Sequence, residues 1–422
     1  MKFVMATYGT RGDIEPSLVV GRELLRRGHD VRMAVAPDSV DFVEAAGVPA
    51  VPFGLDTRTW LNVYRNFWNS VFKEFWKINE LRALWKELWE RSDESWAQMS
   101  ATLTEVAADA DVLFAGQAYQ ETAANVAEHF DIPLVTLHHV PVRPNGRLVP
   151  ILPPLLGRTA MKGFDWFTWL LNKKVEDAQR RELGLPKARI PSTQRIGNRE
   201  SLEIQAYDEV CFPGLAAEWA KWGELRPFVG ALTMELSTEV DGEVSDWIAA
   251  GTPPICFGFG SMPVESPRDT VEMISTASAL LGERALICAG YSDFSGVPTY
   301  DHVKVVGAVN YAAIFPSCRA VVHHGGSGTT AASMRAGVPT LILSMDANQT
   351  LWGSQVKKLK VGTTRRFSAT TKDTLITDLR RVLDPECAER AKTLALQMTK
   401  PADGVRRAAD LVENFARVRS AA

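Results

Sequence analysis

Residues 3–46 read FVMATYGTRGDIEPSLVVGRELLRRGHDVRMAVAPDSVDFVEAA. A short apolar, β-branched run, Phe3 to Thr7, is followed by a helical pattern from about Pro16 to Arg27. A second such run, Val31 to Ala36, leads into a second helical pattern from about Asp38 to Ala46. This strand–helix–strand–helix rhythm predicts an α/β protein with a parallel sheet covered by helices on both faces. Val112 to Ala115 and Leu134 to His138 are further strand candidates. After Pro213 the rhythm restarts, with Ile255 to Phe259, Ala285 to Ala289, Val303 to Val306, Ala320 to His323 and Thr340 to Ser344. Pro213, Gly214, Gly223 and Pro227 interrupt the periodicity between the two series, and the strand pattern begins again near Phe228. The expected layout is therefore a first doubly wound domain over 1–213, a linker over 214–227 and a second over 228–400. A closing segment, 401–422, carries a basic amphipathic helix from about Gly404 to Val418 that would brace the two halves. Two such sheets facing each other would offer two half-sites across one cleft, because open α/β sheets bind ligands beyond the carboxyl ends of their strands.

Composition narrows the function. A chain of 422 residues holds two or three domains at about 150 residues each. Its 46% hydrophobic and 23% charged content is that of ordinary globular proteins. Lys plus Arg number 47 against 50 for Asp plus Glu, so there is no global positive field and no nucleic-acid partner is expected. Five cysteines, Cys211, Cys256, Cys288, Cys318 and Cys387, lack CxxC spacing, which argues against disulfides and structural zinc and for a reducing compartment. The start MKFVMATYGTRGD reaches Arg11 and Asp13 too soon for a signal peptide, and no apolar run is long enough to span a bilayer. The expectation is a soluble cytoplasmic protein, with peripheral contact at the inner face of the membrane left open.

Residues Trp60 to Trp96 hold six of the twelve Trp, inside an aromatic helical insertion over about 58–100. Trp60, Tyr64, Phe67, Val71, Phe72 and Phe75 share one helix face. Such a stripe is either an ordinary core-facing helix or a source of rings for a greasy acceptor pocket, with Trp68 and Phe72 as candidates.

The strongest chemical signal is His323-His324-Gly325-Gly326-Ser327-Gly328-Thr329-Thr330, which follows the strand Ala320 to Val322 and opens a helical run. A glycine-rich strand-to-helix turn aims backbone N–H groups outward at a helix N-terminus, where the dipole favours an anion; Thr329 and His324 add side-chain donors. That is a pyrophosphate cradle, and its pattern is neither a P-loop nor the dinucleotide GxGxxG. The bland alternative is a glycine-rich turn with a satisfied histidine pair.

His324-Gly325-Gly326-Ser327-Gly328-Thr329, followed by Ala336-Gly337-Val338-Pro339 and Asn348-Gln349, resembles the donor signature of family-one nucleotide-sugar glycosyltransferases, which have the two-Rossmann-domain GT-B fold. Gly9-Thr10-Arg11-Gly12-Asp13-Ile14-Glu15-Pro16 resembles a narrower branch: sterol glucosyltransferases and the bacterial enzymes that glycosylate glycopeptide antibiotics and mycobacterial glycopeptidolipids. The resemblance implies diphosphate contacts from His324, Gly326, Ser327, Gly328 and Thr329. It implies a second phosphate-contacting hydroxyl at Ser261, in a turn that is otherwise a simple Ser turn. Val309, Asn310 and Tyr311 would hold the pyrimidine base. Asn348 and Gln349 would bind the transferred sugar; Asn348 replaces the family's usual Asp, and Asp346 could take its part.

Asp13 is the candidate general base, since a carboxylate after the first strand can take the proton of an attacking hydroxyl. It is equally suited to cap the helix that starts near Ile14 to Pro16. Arg11 and Gly12 in the same loop, and His138 and His139 at the end of the Leu134 strand, are acceptor-side candidates. No metal and no cofactor are expected, because the cradle can offset the leaving diphosphate. The implied reaction is inverting transfer of a hexosyl group from a UDP- or dTDP-sugar to a hydroxyl of a hydrophobic acceptor. A nucleotide-sugar epimerase or hydrolase, or a non-catalytic nucleotide-sugar- or lipid-binding accessory protein, would share the architecture.

Overall fold

The structure, a computed structural model, describes residues 1–57, 78–148, 152–236, 238–260, 264, 266–290 and 292–420. Trp68, Phe72 and Ser261 lie outside the described residues. The chain divides into two compact units: Met1–Ala206 with Gly214–Val229 and Ala402–Ala422, and Tyr207–Pro213 with Gly230–Pro401.

The first unit is built on six parallel strands, β1 (Lys2–Thr7), β2 (Asp30–Val35), β3 (Ala50–Pro52), β4 (Val112–Ala115), β5 (Leu134–His138) and β6 (Leu202–Gln205), in the order β3-β2-β1-β4-β5-β6. β4 and β5 are buried along their whole length, which is why they read as unbroken apolar runs. The second unit repeats the plan with β7 (Ile255–Gly258), β8 (Ala285–Cys288), β9 (Val303–Val306), β10 (Ala320–His323), β11 (Thr340–Ser344) and β12 (Gly362–Arg366), in the order β12-β11-β10-β7-β8-β9. Both sheets have the Rossmann order, so each has one point where the winding reverses: between β1 and β4, and between β7 and β10.

Several expectations shift. The first helix runs Arg11–Arg26, five residues earlier than its apolar period suggests, and carries Pro16 inside it. Three strands escape the sequence pattern: β3 has three residues and ends in Pro52, β6 alternates apolar with buried Glu203 and Gln205, and β12 reads Gly-Thr-Thr-Arg-Arg. Phe228, where a new strand is expected, makes only an isolated bridge to Gln205 inside the first unit. Residues 214–229, expected to be mostly linker, fold with the first unit, while Tyr207–Pro213 fold with the second.

The closing helix, Pro401–Ser420, belongs to the first unit from Ala402 onward. Arg27 donates to Asp410 and to Glu413, each at 2.7 Å, and His29 Nε2 pairs with Glu413 at 2.5 Å. The aromatic insertion is described only from Ile78, as the helix Ile78–Val106. There Trp96 is a core residue, donating from Nε1 to Gln179 at 3.0 Å. No helix among the described residues is long and apolar enough to cross a membrane.

Candidate functional site

In the second unit the reversal point puts the turn after β7 beside the turn after β10. The helix Ser327–Arg335 starts there with Gly326 as its N-cap. Thr330 N–H donates to the Gly326 carbonyl at 2.9 Å, so the N–H groups of Ser327, Gly328 and Thr329 precede the first intrahelical bond. All three residues are half-buried at the helix's positive end. Arg335, in the last turn, donates to the Ala231 carbonyl at 2.9 Å and to Thr233 Oγ1 at 2.6 Å, anchoring the segment that follows Gly230.

The His324 ring is held between two glycines. A Cβ on Gly260 would come 2.5 Å from its Cε1, and one on Gly326 would come 2.6 Å from its Nε2, so no larger residue fits either position with the ring in place. His323 points into the core: its Nδ1 accepts from Gly325 N–H at 2.9 Å, which leaves the proton of the neutral ring on Nε2. Asn310 caps the short helix Tyr311–Ile314 by accepting from Ala312 N–H at 3.1 Å, and its own N–H donates to Asp241 at 2.8 Å. Asp346 caps the helix Ala347–Lys358, accepting from Gln349 N–H at 2.9 Å, while Gln349 Oε1 accepts from Met345 N–H at 2.7 Å. Gln349 is therefore buried and fixed by its own turn, whereas Asn348 and Asp346 are exposed. Val309 is buried ahead of Asn310. The second unit thus gathers His324, Gly326, Ser327, Gly328 and Thr329 into one turn at a helix N-terminus, with Gln349 packed against it at Gly325.

In the first unit the reversal point carries a second group. Asp13 is the third residue of the helix Arg11–Arg26 and reaches back to cap it, accepting from Thr10 N–H at 2.8 Å and Thr10 Oγ1 at 3.0 Å. The sequence suggested a cap on a later helix start; the capping role stands, but through Thr10. A Cβ at Gly9, whose φ is +135°, would fall 2.4 Å from the Asp13 carboxylate. The second Asp13 oxygen, Oδ1, lies 3.4 Å from His139 Nε2. His139 is itself placed by Gln117, whose Oε1 accepts from His139 N–H at 3.1 Å and from Val140 N–H at 3.3 Å. Among the described residues, His139 Nδ1 has no hydrogen-bond partner.

The other acceptor-side candidates diverge. His138 is wholly buried: Gln205 Nε2 donates to its Nδ1 at 3.2 Å, so its Nε2 donates to Gln120 Oε1 at 3.3 Å. Gln120 Oε1 also takes Arg143 at 3.0 Å, and Arg143 and Arg226 share the buried Glu203 carboxylate. His138 is thus part of a structural polar network. Arg11 pairs with Glu15 at 3.2 Å and lies over the Phe42 ring at 5.0 Å, and Gly12 is exposed. Gln117 and Gly260 carry no motif signal, since they act through contacts to residues distant in the chain that only the fold reveals, whereas Thr10 lies inside the Gly9–Pro16 motif without its capping role being legible there.

Burial pushes the imidazoles below their ordinary value of 6.5. For His138 the nearby Arg143 and Arg226 add to burial, and for His323 its neighbour His324 does. For His139 the Asp13 carboxylate opposes burial; for His324 the Gly258 backbone and Asp346 do. Each is neutral in the folded protein at pH 7. The unfolded chain takes up protons as pH falls through 6.5 and the folded protein does not, so stability falls with acidification. Below pH 6.5, until the lowered folded-state value of each ring is reached, the expected loss is at most about 1.4 kcal/mol per pH unit for each of these four histidines. Thermal melts across that range check it; a melting temperature that stays flat below pH 6.5 would contradict it.

Among the described residues no group of His, Cys, Asp and Glu is arranged to hold a metal ion. Residues 3–110 match the glycosyltransferase family 28 N-terminal domain, and residues 271–411 the erythromycin biosynthesis protein CIII-like C-terminal domain. An uncharacterized glycosyltransferase of Mycobacterium tuberculosis (strain H37Rv) is 56% identical over 420 residues, covering 99% of each chain. A sterol 3-beta-glucosyltransferase of Arabidopsis thaliana is 29% identical over 422 residues, covering 96% of this chain and 64% of that protein. Among solved structures, the glycotransferase of kitacinnamycin superposes with a TM-score of 0.72 at 20% identity, over 98% of this chain and 99% of that one. Glycosyltransferase VinC in complex with dTDP gives 0.65 at 18% identity, over 99% and 100%.

Proposed function

Because the chain belongs to the nucleotide-sugar glycosyltransferases of the GT-B fold, we propose that it moves a hexosyl group from a UDP- or dTDP-sugar to a hydroxyl of a hydrophobic acceptor with inversion at the anomeric carbon. The observation that carries this reading is the His324 ring, held between Gly260 and Gly326 beside the N–H groups of Ser327, Gly328 and Thr329. In that role the turn binds the donor diphosphate. The helix dipole and the His324 imidazole take up the charge that grows on the leaving oxygen, so the step needs no resident metal. Val309, Asn310 and Tyr311 line the base, and Asn348, Gln349 and Asp346 the transferred sugar.

In the first unit Asp13 is the general base. Its Oδ2 is engaged by Thr10 while Oδ1 lies 3.4 Å from His139 Nε2, so one carboxylate oxygen is fixed and the other is available to a proton. The acceptor oxygen attacks the anomeric carbon and the bond from that carbon to the diphosphate oxygen breaks. The electron pair leaves with the nucleoside diphosphate, and the acceptor's proton goes to Asp13. One displacement inverts the centre. A hydrophobic acceptor is supported by the sterol substrate in the name of the Arabidopsis relative, and a dTDP donor by the ligand named with VinC.

Incubation with UDP- and dTDP-hexoses and a panel of sterols, phenols and long-chain alcohols tests the reading. The expected product is a hexosylated acceptor of inverted anomeric configuration by mass spectrometry and NMR. Donor hydrolysis alone, or retained configuration, would contradict it.

A further inference from the structure

The helix Pro154–Glu182 wears its polarity inside out. Its C-terminal half buries Glu176, Gln179 and Arg180, all ion-paired or hydrogen-bonded inside the first unit. Its N-terminal half buries Gly157 and Trp169 and turns large apolar side chains to solvent. Leu155 is 69% exposed, Phe164 67% and Phe167 57%, and Leu156, Leu170 and Leu171 are exposed with them. At 3.6 residues per turn these six spread over about half of the helix circumference, in two groups, Leu155 with Leu156 and then Phe164 to Leu171, with Thr159, Ala160 and Gly163 on the same face between them. Trp166 is exposed on the same face, whereas other exposed large apolar residues among the described residues, such as Leu236, Leu280 and Leu396, are scattered singly. A water-facing helix ordinarily presents the opposite pattern, and a cluster such as Phe164, Trp166, Phe167, Leu170 and Leu171 marks an interaction surface.

Charge identifies the partner. Over Pro154 to Lys174 the helix carries Arg158, Lys162, Lys173 and Lys174 against Asp165, and of these Arg158 pairs with Glu218 at 2.9 Å and Lys173 with Asp177 at 3.0 Å. Asp165 already accepts from the Thr193 hydroxyl at 2.5 Å. Lys162 and Lys174 are exposed and have no carboxylate partner among the described residues. This basic local rim sits on a chain whose formal net charge is −3. An exposed apolar stripe with phenylalanines and leucines, flanked by unpaired lysines, fits a bilayer surface whose headgroups are anionic. We infer that the exposed face of the helix Pro154–Glu182 docks on an anionic membrane surface, with Leu155, Phe164, Phe167 and Leu170 entering the headgroup layer and Lys162 and Lys174 meeting the phosphates. The inference rests on this helix alone and stands apart from the transfer reaction.

Co-sedimentation of the full chain with vesicles of phosphatidylcholine, pure or mixed with phosphatidylglycerol, tests it. The wild type binds the mixed vesicles at least about tenfold more tightly than the pure ones, and loses that preference in high salt. The double variant Phe164→Ser, Phe167→Ser removes binding, and Lys162→Glu with Lys174→Glu weakens it on mixed vesicles. All four positions are exposed, so the melting temperatures stay near that of the wild type. Three results would overturn the inference: no binding of the wild type to mixed vesicles, vesicle binding unchanged in both variants, or a self-association lost in the serine variant without vesicle binding, which would assign the face to a second copy of the chain.

Discussion

Asp13→Asn lowers turnover by about 10²–10⁴-fold and leaves nucleotide binding intact. Asn keeps an oxygen that accepts from Thr10 N–H and Thr10 Oγ1, so the cap on the helix Arg11–Arg26 and the turn around Gly9 survive. What it removes is the carboxylate oxygen facing His139, the atom that takes the acceptor proton in the proposed step. The loss therefore appears in kcat, while melting temperature and donor affinity stay near wild type. Steady-state kinetics with saturating donor, alongside a thermal melt of the variant, separate the two. Turnover comparable with the wild type would remove Asp13 from the chemistry and leave it as a helix cap.

Gly326→Ala tests the other half-site. The φ of −59° at Gly326 suits any residue, so the backbone does not resist the change. The new methyl would lie 2.6 Å from His324 Nε2, and the imidazole must leave its place between Gly326 and Gly260. Losing one such hydrogen bond to a charged group costs about 1.5–3 kcal/mol, which corresponds to roughly 10- to 150-fold in affinity for a nucleoside diphosphate. Calorimetric titration reads that loss directly. Affinity equal to wild type would mean that the ring's position does not matter to the anion.

The sequence carries the sheet plan because most strands of both units are buried on two faces and show as apolar runs. β4, β5, β9, β10 and β11 end where their patterns end. It hides β6 and β12, whose buried Glu203 and Gln205 and whose Thr364 and Arg365 serve ion pairs and hydrogen bonds that the period of two does not register. The start of the first helix is hidden for a related reason: Arg11 to Asp13 are polar, and their helical state depends on the reciprocal bonds between Thr10 and Asp13. The turn between Ala320–His323 and Ser327–Arg335 is legible because its glycines and hydroxyls break the apolar run of the strand and open a helix. His324 stands out by motif, but Gly260, which shares its ring, lies 64 positions upstream in another strand's turn. The pairing of Asp13 with His139 is likewise a product of strand order, since β5 lies two strands from β1 and Gln117 fixes the backbone between. His138 and His139 look alike in sequence; one residue of strand alternation sends the first into the core and the second toward Asp13.

Binding of a nucleoside diphosphate at the turn around His324 is read from the melting temperature of wild type and His324→Ala with UDP, dTDP and their hexose conjugates. A ligand that binds only the folded state raises the melting temperature by mass action. The expected result is a concentration-dependent rise in the wild type with at least one of these nucleotides and its loss in His324→Ala, with the ligand-free variant still folded. No rise with any of them, or an equal rise in the variant, would contradict it.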